Sequence, residues 1–137
     1  MAGYSGKPLA QKLGIKAGFT VAPIGAPRGY RALLGPLPEE VRFGTVEGQP
    51  HLIHYFCRER ARLGKDLPVI RQKMRDDAML WVSWPKKSAG VSTTVTEGVV
   101  RELALSLGLV DTKVCAVDET WSALRLEVRL ANRKLTA

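Results

Sequence analysis

An apolar run that ends abruptly in a proline and two lysines limits the folds open to this chain. Residues 79–84 read MLWVSW, an apolar run rich in Val and Trp, and Pro85 follows directly. A run of this length and composition predicts a strand buried on both faces, which the proline ends where Lys86 and Lys87 reach solvent. Because ligands of open α/β sheets bind beyond the carboxyl ends of the strands, these lysines are the first candidates for a binding site.

The size and composition of the chain predict one cytoplasmic domain. With 137 residues, 45% of them hydrophobic, it can bury a core without disulfides or metals. We expect a single domain over residues 1–137, in which residues 1–17 cap the core. Cys57 and Cys115 each lie in an apolar, strand-like segment, which favours buried free thiols in a reducing compartment. No signal-peptide pattern and no run of about 20 apolar residues occurs, so we expect no membrane partner.

The charge balance favours anionic partners. The chain has 21 Lys and Arg against 13 Asp and Glu, a formal net charge of +8. This balance is compatible with several anionic partners: nucleotides, phosphorylated metabolites, nucleic acid and acidic protein surfaces. It is equally compatible with a positive charge that only keeps the protein soluble. The cations are scattered rather than gathered in one run, so nucleic acid is a possible partner that is not specifically indicated.

The first half of the chain alternates strand and helix signals. Apolar runs predict strands over 19–24, 41–46 and 52–57, and an apolar stripe predicts a helix over 58–74. Pro68 falls inside that helix and predicts a break or restart near Asp66.

The second half predicts one helix and a hairpin. Thr94 and Glu97 stand in the relation of a capping box, and the apolar stripe that follows predicts a helix that ends at Gly108. Residues 110–117 predict a strand, and residues 118–122 a turn. The last predicted strand alternates strictly, with one buried face: Leu124, Leu126, Val128 and Leu130. The whole pattern predicts a Rossmann-like three-layer α/β domain with a mostly parallel sheet and an antiparallel C-terminal hairpin.

Two resemblances accompany this pattern. The order of elements resembles the second half of a class I S-adenosylmethionine-dependent methyltransferase with a first strand and helix attached in front. Residues 2–9, 81–87 and 110–121 closely resemble a bacterial family of unknown function, and this match covers nearly the whole chain. The second resemblance implies no activity.

The methyltransferase resemblance implies a turn of the form acid-x-Gly-x-Gly-x-Gly after the first strand, where the cofactor lies against exposed backbone. Gly25 and Gly29 match the first and third glycines. Pro27 replaces the second glycine, and Pro23 replaces the acidic residue. The acidic residue that would hold the cofactor ribose has no matching position either. We therefore predict that the chain uses no S-adenosylmethionine, and no motif for another cofactor occurs.

The predicted ligand site lies where the strands end. Arg28 follows the first strand as Lys86 and Lys87 follow the strand at 79–84, so the three cations are expected to converge on one edge and bind an anion. The complete set of predicted ligand-binding residues is Gly25, Arg28, Gly29, Ser83, Trp84, Lys86, Lys87 and Glu119.

Three further patterns are weak. His51 and His54 are three residues apart at the entry of a strand and point to opposite faces, so a shared metal is not expected. Trp81 and Trp84 should face opposite sides for the same reason. Ser83 has no Gly-x-Ser-x-Gly elbow and is not a predicted nucleophile.

Three functions fit these observations. The first is a non-enzymatic binding protein for an anionic small molecule or nucleotide. The second is a degenerate methyltransferase-like enzyme. The third is a protein or nucleic-acid interaction module that uses the basic surface.

Overall fold

A six-stranded sheet forms the centre of the computed structural model, which describes residues 6–133. The first five residues of the predicted capping segment and the start of the motif at 2–9 therefore lie outside the described part. In chain order the strands are β1 (Thr20–Ile24), β2 (Arg42–Phe43), β3 (Leu52–Phe56), β4 (Met79–Pro85), β5 (Leu109–Ala116) and β6 (Trp121–Val128).

The topology of the sheet confirms the predicted fold class. The strand order is β2-β1-β3-β4-β6-β5. The first four strands in this order are parallel, whereas β6 runs antiparallel to both of its neighbours, β4 and β5. The sheet is thus mostly parallel and carries an antiparallel C-terminal hairpin.

Four helices cover the two faces of the sheet. Helices α1 (Leu9–Leu13) and α2 (Tyr30–Leu34) contribute to the core on one face, and α3 (Arg60–Lys73) and α4 (Glu97–Leu105) contribute to the core on the other. The fold therefore has three layers. None of the helices within residues 6–133 is both long and apolar enough to cross a membrane.

Strand β4 supplies side chains to both cores. Leu80 and Val82 pack with α3 and α4, whereas Trp81 packs on the α1 side and donates its indole N–H to the carbonyl of Leu13 at 2.9 Å. Trp84 belongs to the α3 side and is 7% exposed. The prediction that Trp81 and Trp84 face opposite sides is confirmed.

The two cysteines are also on opposite sides of the sheet. Cys57 lies in the core beneath α3, and Cys115 lies in the core beneath α1. Both are free and buried. The expectation of buried free thiols is therefore confirmed. The sheet lies between the two sulfur atoms and keeps them apart.

Helix α3 is continuous, so the predicted break near Asp66 is wrong. Pro68 lacks the N–H that would bond to the carbonyl of Gly64, and both residues are exposed. Water can therefore solvate that carbonyl. On the opposite side of the helix, Leu63, Leu67 and Ile70 are buried and hold it against the sheet.

The predicted capping box is wrong as well. Helix α4 is capped by Thr96, whose hydroxyl accepts from the N–H of Val99 at 3.2 Å. Thr94 instead accepts from the N–H of Arg60 at 2.6 Å and so caps the start of α3. The threonine that local spacing assigns to one helix is used by another helix 34 residues earlier.

Two strands have different bounds from those predicted. The segment 41–46 forms only the two-residue strand β2, because the chain turns at Val46–Gly48 to reach β3. In β6, Leu124, Leu126 and Val128 are buried as predicted, but Leu130 lies beyond the strand and is 78% exposed.

Substitution of Leu126 should test the register of β6. Leu126 is fully buried and faces the core beneath α3 and α4, so Leu126→Ala should lower the free energy of unfolding by about 2–5 kcal/mol, measured by urea denaturation. Val114→Ala on β5 is the control, because Val114 is 55% exposed and should change stability by less than about 0.5 kcal/mol. Equal midpoints for the two variants would contradict this register.

Candidate functional site

The carboxyl edge of the sheet brings three loops together. The N–H of Lys86, just after β4, donates to the carbonyl of Thr120 at the tip of the β5–β6 hairpin, at 2.7 Å. The N–H of Cys57, just after β3, donates to the carbonyl of Ser83 at 3.1 Å. The ends of β3 and β4 and the hairpin tip therefore form one continuous edge.

Gly25 and Gly29 lie in the turn between β1 and α2. Gly25 has a φ of +66°, and a Cβ there would lie 3.0 Å from the backbone carbonyl oxygen of Phe56. The backbone of β3 and the positive φ thus both favour a glycine at this position, whether or not a ligand binds. Gly29 has a φ of +82° and open space where its Cβ would be.

Unpaired cations line this edge. They follow β1, β3 and β4, all but Lys86 are exposed, and none takes part in an ion pair among residues 6–133: Arg28, Arg58, Arg60, Lys86 and Lys87. Positive charge at this edge is therefore not neutralised by the ion pairs of the described protein.

The amino edge of the same sheet is different. At the end of α3 and in the loop that leads to β4, each of three cations faces a carboxylate. The N···O distances are 3.6 Å for Arg71–Asp76, 2.6 Å for Lys73–Glu47 and 2.9 Å for Arg75–Asp77. Three cations of the amino edge are thus paired, whereas the five cations named at the carboxyl edge take part in no ion pair among residues 6–133.

The carboxylates of the hairpin tip have separate roles. Asp118 accepts hydrogen bonds from the N–H groups of Thr120 and Trp121 at 2.8 and 2.7 Å, so it shapes the turn. Glu119 is exposed, and within the described residues no ion pair joins it to Lys86 or Lys87. The lysines are therefore not compensated by a direct contact with Glu119.

A buried chain of hydrogen bonds lies beneath this edge. The Nδ1 of His54 is 2.7 Å from the hydroxyl of Tyr30, and its Nε2 is 2.7 Å from the hydroxyl of Ser83. His54 and Ser83 are both fully buried. Burial lowers the pKa of the His54 imidazole to about 3, so the chain is neutral near pH 7. It joins α2, β3 and β4 through three polar side chains whose buried atoms are all hydrogen-bonded.

This chain of hydrogen bonds is not predicted from the sequence. The available signal was a histidine and a serine within two strands that are otherwise apolar, since such groups need polar partners when buried. Their pairing also depends on the register, in which His54 is opposite Trp81 and Ser83 is opposite Phe56. Phe56 adds a stacked contact with His54 at a ring-centroid distance of 4.2 Å.

Ser83 and Trp84 lie inside the protein rather than on the surface of the carboxyl edge. Strand β6 pairs with β4 as far as Pro85, which is opposite Trp121, so the end of β4 is covered by the hairpin. Ser83 is fully buried and Trp84 is 7% exposed. These two predicted residues therefore support the edge from below.

Arg28 is separated from the two lysines by one strand. It follows β1, whereas the lysines follow β4, and β3 lies between these strands. Two strand steps place the strand ends about 10 Å apart. The convergence of the three side chains on one anion stays a prediction.

No carboxylate follows β2 directly. The first one along the chain is Glu47, which pairs with Lys73 at 2.6 Å, and this hydrogen bond lowers the pKa of the carboxyl. Lys73 is the last residue of α3, so the carboxylate of Glu47 is paired at the amino edge of the sheet. The acidic residue that a methyltransferase resemblance implies for the ribose is thus not supplied here.

The histidines do not form a metal site. His51 accepts the N–H of Thr20 at 2.9 Å and stacks on Phe19, whereas His54 belongs to the buried chain. Within residues 6–133 no group of three or more His, Cys, Asp or Glu residues is arranged to hold a metal ion.

Comparison with known proteins defines the fold. No protein-family model and no curated protein matches the chain. Solved methyltransferase structures do. A 1,6-didemethyltoxoflavin-N1-methyltransferase from Burkholderia thailandensis has a TM-score of 0.58 at 16% identity, covering 88% of this chain and 75% of that one. A SAM-dependent methyltransferase from Aquifex aeolicus has a TM-score of 0.59 at 12% identity, covering 86% of each chain. The M1A22 tRNA methyltransferase TrmK from B. subtilis has a TM-score of 0.55 at 13% identity, covering 88% and 65%.

The chain therefore has the Rossmann-like fold of S-adenosylmethionine-dependent methyltransferases. This confirms the resemblance inferred from the order of its elements. At these identities the similarity concerns the fold alone.

His54 should remain uncharged in the folded protein across the physiological range. Its pKa is depressed from 6.5 to about 3, so the stability it contributes is fully present above pH 6.5 and is lost as the pH falls toward 3. NMR of the imidazole carbon-bound protons should show no titration of His54 between about pH 8 and pH 5. A titration with a midpoint near pH 6.5 would contradict the burial of this ring.

Proposed function

We propose that this chain uses its methyltransferase-like fold to bind a small anionic molecule at the carboxyl edge of the sheet. The observation that supports the proposal most directly is the set of cations after β1, β3 and β4 that have no ion-pair partner among residues 6–133. The carboxyl edge is also where open α/β sheets bind their ligands.

Electrostatics explains why an anion is favoured there. Cations on adjacent loops lie within about one Debye length, 10 Å at 0.1 M salt, so they repel one another. A bound phosphate or carboxylate relieves that repulsion and gains charge-assisted hydrogen bonds. The Burkholderia thailandensis structure holds 1,6-didemethyltoxoflavin and S-adenosylhomocysteine, which supports a small molecule as the partner class.

Methyl transfer is the second candidate, and the similarity to solved methyltransferases favours it. Three features oppose the use of S-adenosylmethionine in the manner that the family resemblance implies. Pro27 replaces a turn glycine, Pro23 replaces the acidic residue of the turn, and Glu47 is paired with Lys73. We therefore rank an anionic ligand other than S-adenosylmethionine first.

Removal of the two lysines should weaken anion binding without weakening the fold. Lys86→Ala combined with Lys87→Ala should reduce the affinity for pyrophosphate or adenosine triphosphate about fivefold to tenfold, measured by isothermal titration calorimetry. The melting temperature of the free protein should be unchanged or slightly higher, because like-charge repulsion is relieved.

A charge-matched double variant is the control. Lys16 and Lys65 are exposed and lie in other parts of the fold, so Lys16→Ala combined with Lys65→Ala removes the same charge elsewhere. This control should retain the affinity of the parent protein. An equal loss in both variants would mean that net charge alone attracts the anion and that the edge is no site.

S-adenosylmethionine should not bind appreciably. Calorimetric titration of the cofactor, and of S-adenosylhomocysteine, should give no saturable heat at micromolar protein concentration, because the turn and the ribose carboxylate differ as described. A micromolar dissociation constant would overturn this ranking and make methyl transfer the leading function.

A further inference from the structure

Two adjoining cavities lie beside α1 and have two lysines in common. The larger, about 440 Å³, has a mostly apolar lining that includes Leu9, Leu33, Pro36 and Val117. The smaller, about 260 Å³, includes Gln11, Lys113 and Cys115 in its lining. Lys7 and Lys12 line both cavities.

Packed elements form the walls of these cavities. The end of α1 is tied to β4 by the hydrogen bond from Trp81 to the carbonyl of Leu13. A Cβ on Gly35, at the end of α2, would lie 3.1 Å from the Cβ of Pro8, so the end of α2 adjoins the start of α1. Val117 comes from the tip of the hairpin. The larger cavity is therefore bordered by two helices and the hairpin.

The lining of the smaller cavity contains three lysines. Its lysines come from three places: the segment before α1, α1 itself and β5. Cys115 is 8% exposed in its lining. Burial raises the pKa of this thiol, and the charges of Lys12, Lys113 and Lys86 oppose that rise. No aspartate or glutamate is present in the lining of either cavity within residues 6–133.

We propose that the two cavities form one site for an amphipathic anion, with its apolar body in the larger cavity and its phosphate or carboxylate against the lysines of the smaller. The volume of the larger cavity falls within the range of about 300–1,000 Å³ that small-molecule sites have. An apolar wall with a few convergent charged groups is also the usual composition of such sites. This site goes beyond the anion site proposed for the loops after β1, β3 and β4, and either can exist without the other.

Titration with four probes tests the site. Octyl phosphate and octanoate, below their micelle concentrations, supply both parts of the ligand, whereas inorganic phosphate and octanol supply one part each. Amide NMR spectra should show saturable shifts with the two amphipathic probes, centred on residues 6–12, 33–36 and 113–117. The tighter of the two probes identifies the headgroup. Inorganic phosphate and octanol should each bind at least tenfold more weakly than the tighter amphipathic probe.

Lysine variants separate this site from general attraction by charge. Lys7→Gln combined with Lys113→Gln should weaken binding of octyl phosphate at least fivefold, whereas Lys16→Gln combined with Lys65→Gln should leave it unchanged. Both pairs remove two charges and keep polar side chains of similar length.

Three outcomes would overturn the proposal. Octanol or phosphate binding as tightly as octyl phosphate would show that one half of the site is not used. Equal loss in the two double variants would show that only net charge matters. Shifts confined to residues 25–29 and 86–88 would support the loops at the strand ends and exclude the cavities beside α1.

Discussion

The fold depends on the burial of β4 within the sheet and between both helical layers. This strand is hydrogen-bonded to β3 along one side and to β6 along the other, so its ladder is complete on both sides. Leu80 and Val82 give α3 and α4 a surface to pack on, and Trp81 does the same for α1. A fully buried tryptophan removes roughly 150–250 Å² from water, which is on the order of 4–6 kcal/mol. Helix α1 has only five residues and depends on such packing, because isolated helices of this length are unstable in water.

The position of β4 also determines where charge can accumulate. Apolar side chains occupy its length, so charged residues are confined to its two ends. At the amino end the nearby cations are paired with Asp76, Asp77 and Glu47, and these contacts need no ligand. At the carboxyl end Lys86 and Lys87 have no such partners among the described residues. Surface ion pairs contribute little to stability, so the two lysines bear on what the protein attracts more than on how stable it is.

Features encoded by composition and short spacing could be predicted from the sequence. The run at 79–84 identified β4, and strict alternation identified the buried face of β6. Features that depend on distant partners could not. Thr94 caps α3 rather than α4 because tertiary structure brings it to Arg60, and a capping-box pattern contains no information about that contact. Pro68 remains inside α3 because its exposed side faces water, which periodicity alone does not reveal.

The same distinction between local features and distant partners applies to the candidate site. The location of the cations in loops could be predicted, because a loop must follow each strand. The parallel topology then places those loops on one edge of the sheet. The bond between His54 and Ser83 required the register of β3 against β4, and the cavities beside α1 required the packing of three separate elements.

Gly25 matches a residue of the methyltransferase cofactor turn, but the fold itself also favours a glycine at this position. In a methyltransferase resemblance this residue is the first glycine of a cofactor turn, yet here its missing side chain leaves room for the carbonyl of Phe56. Any other residue at this position would also have to adopt a φ of +66°, which residues other than glycine rarely do. The crossing of the chain from β1 to α2, next to β3, therefore favours a glycine even when no cofactor binds. For this reason Gly25 supports the fold more strongly than it supports methyl transfer. The residues that differ from the pattern, Pro23 and Pro27, carry more information about function.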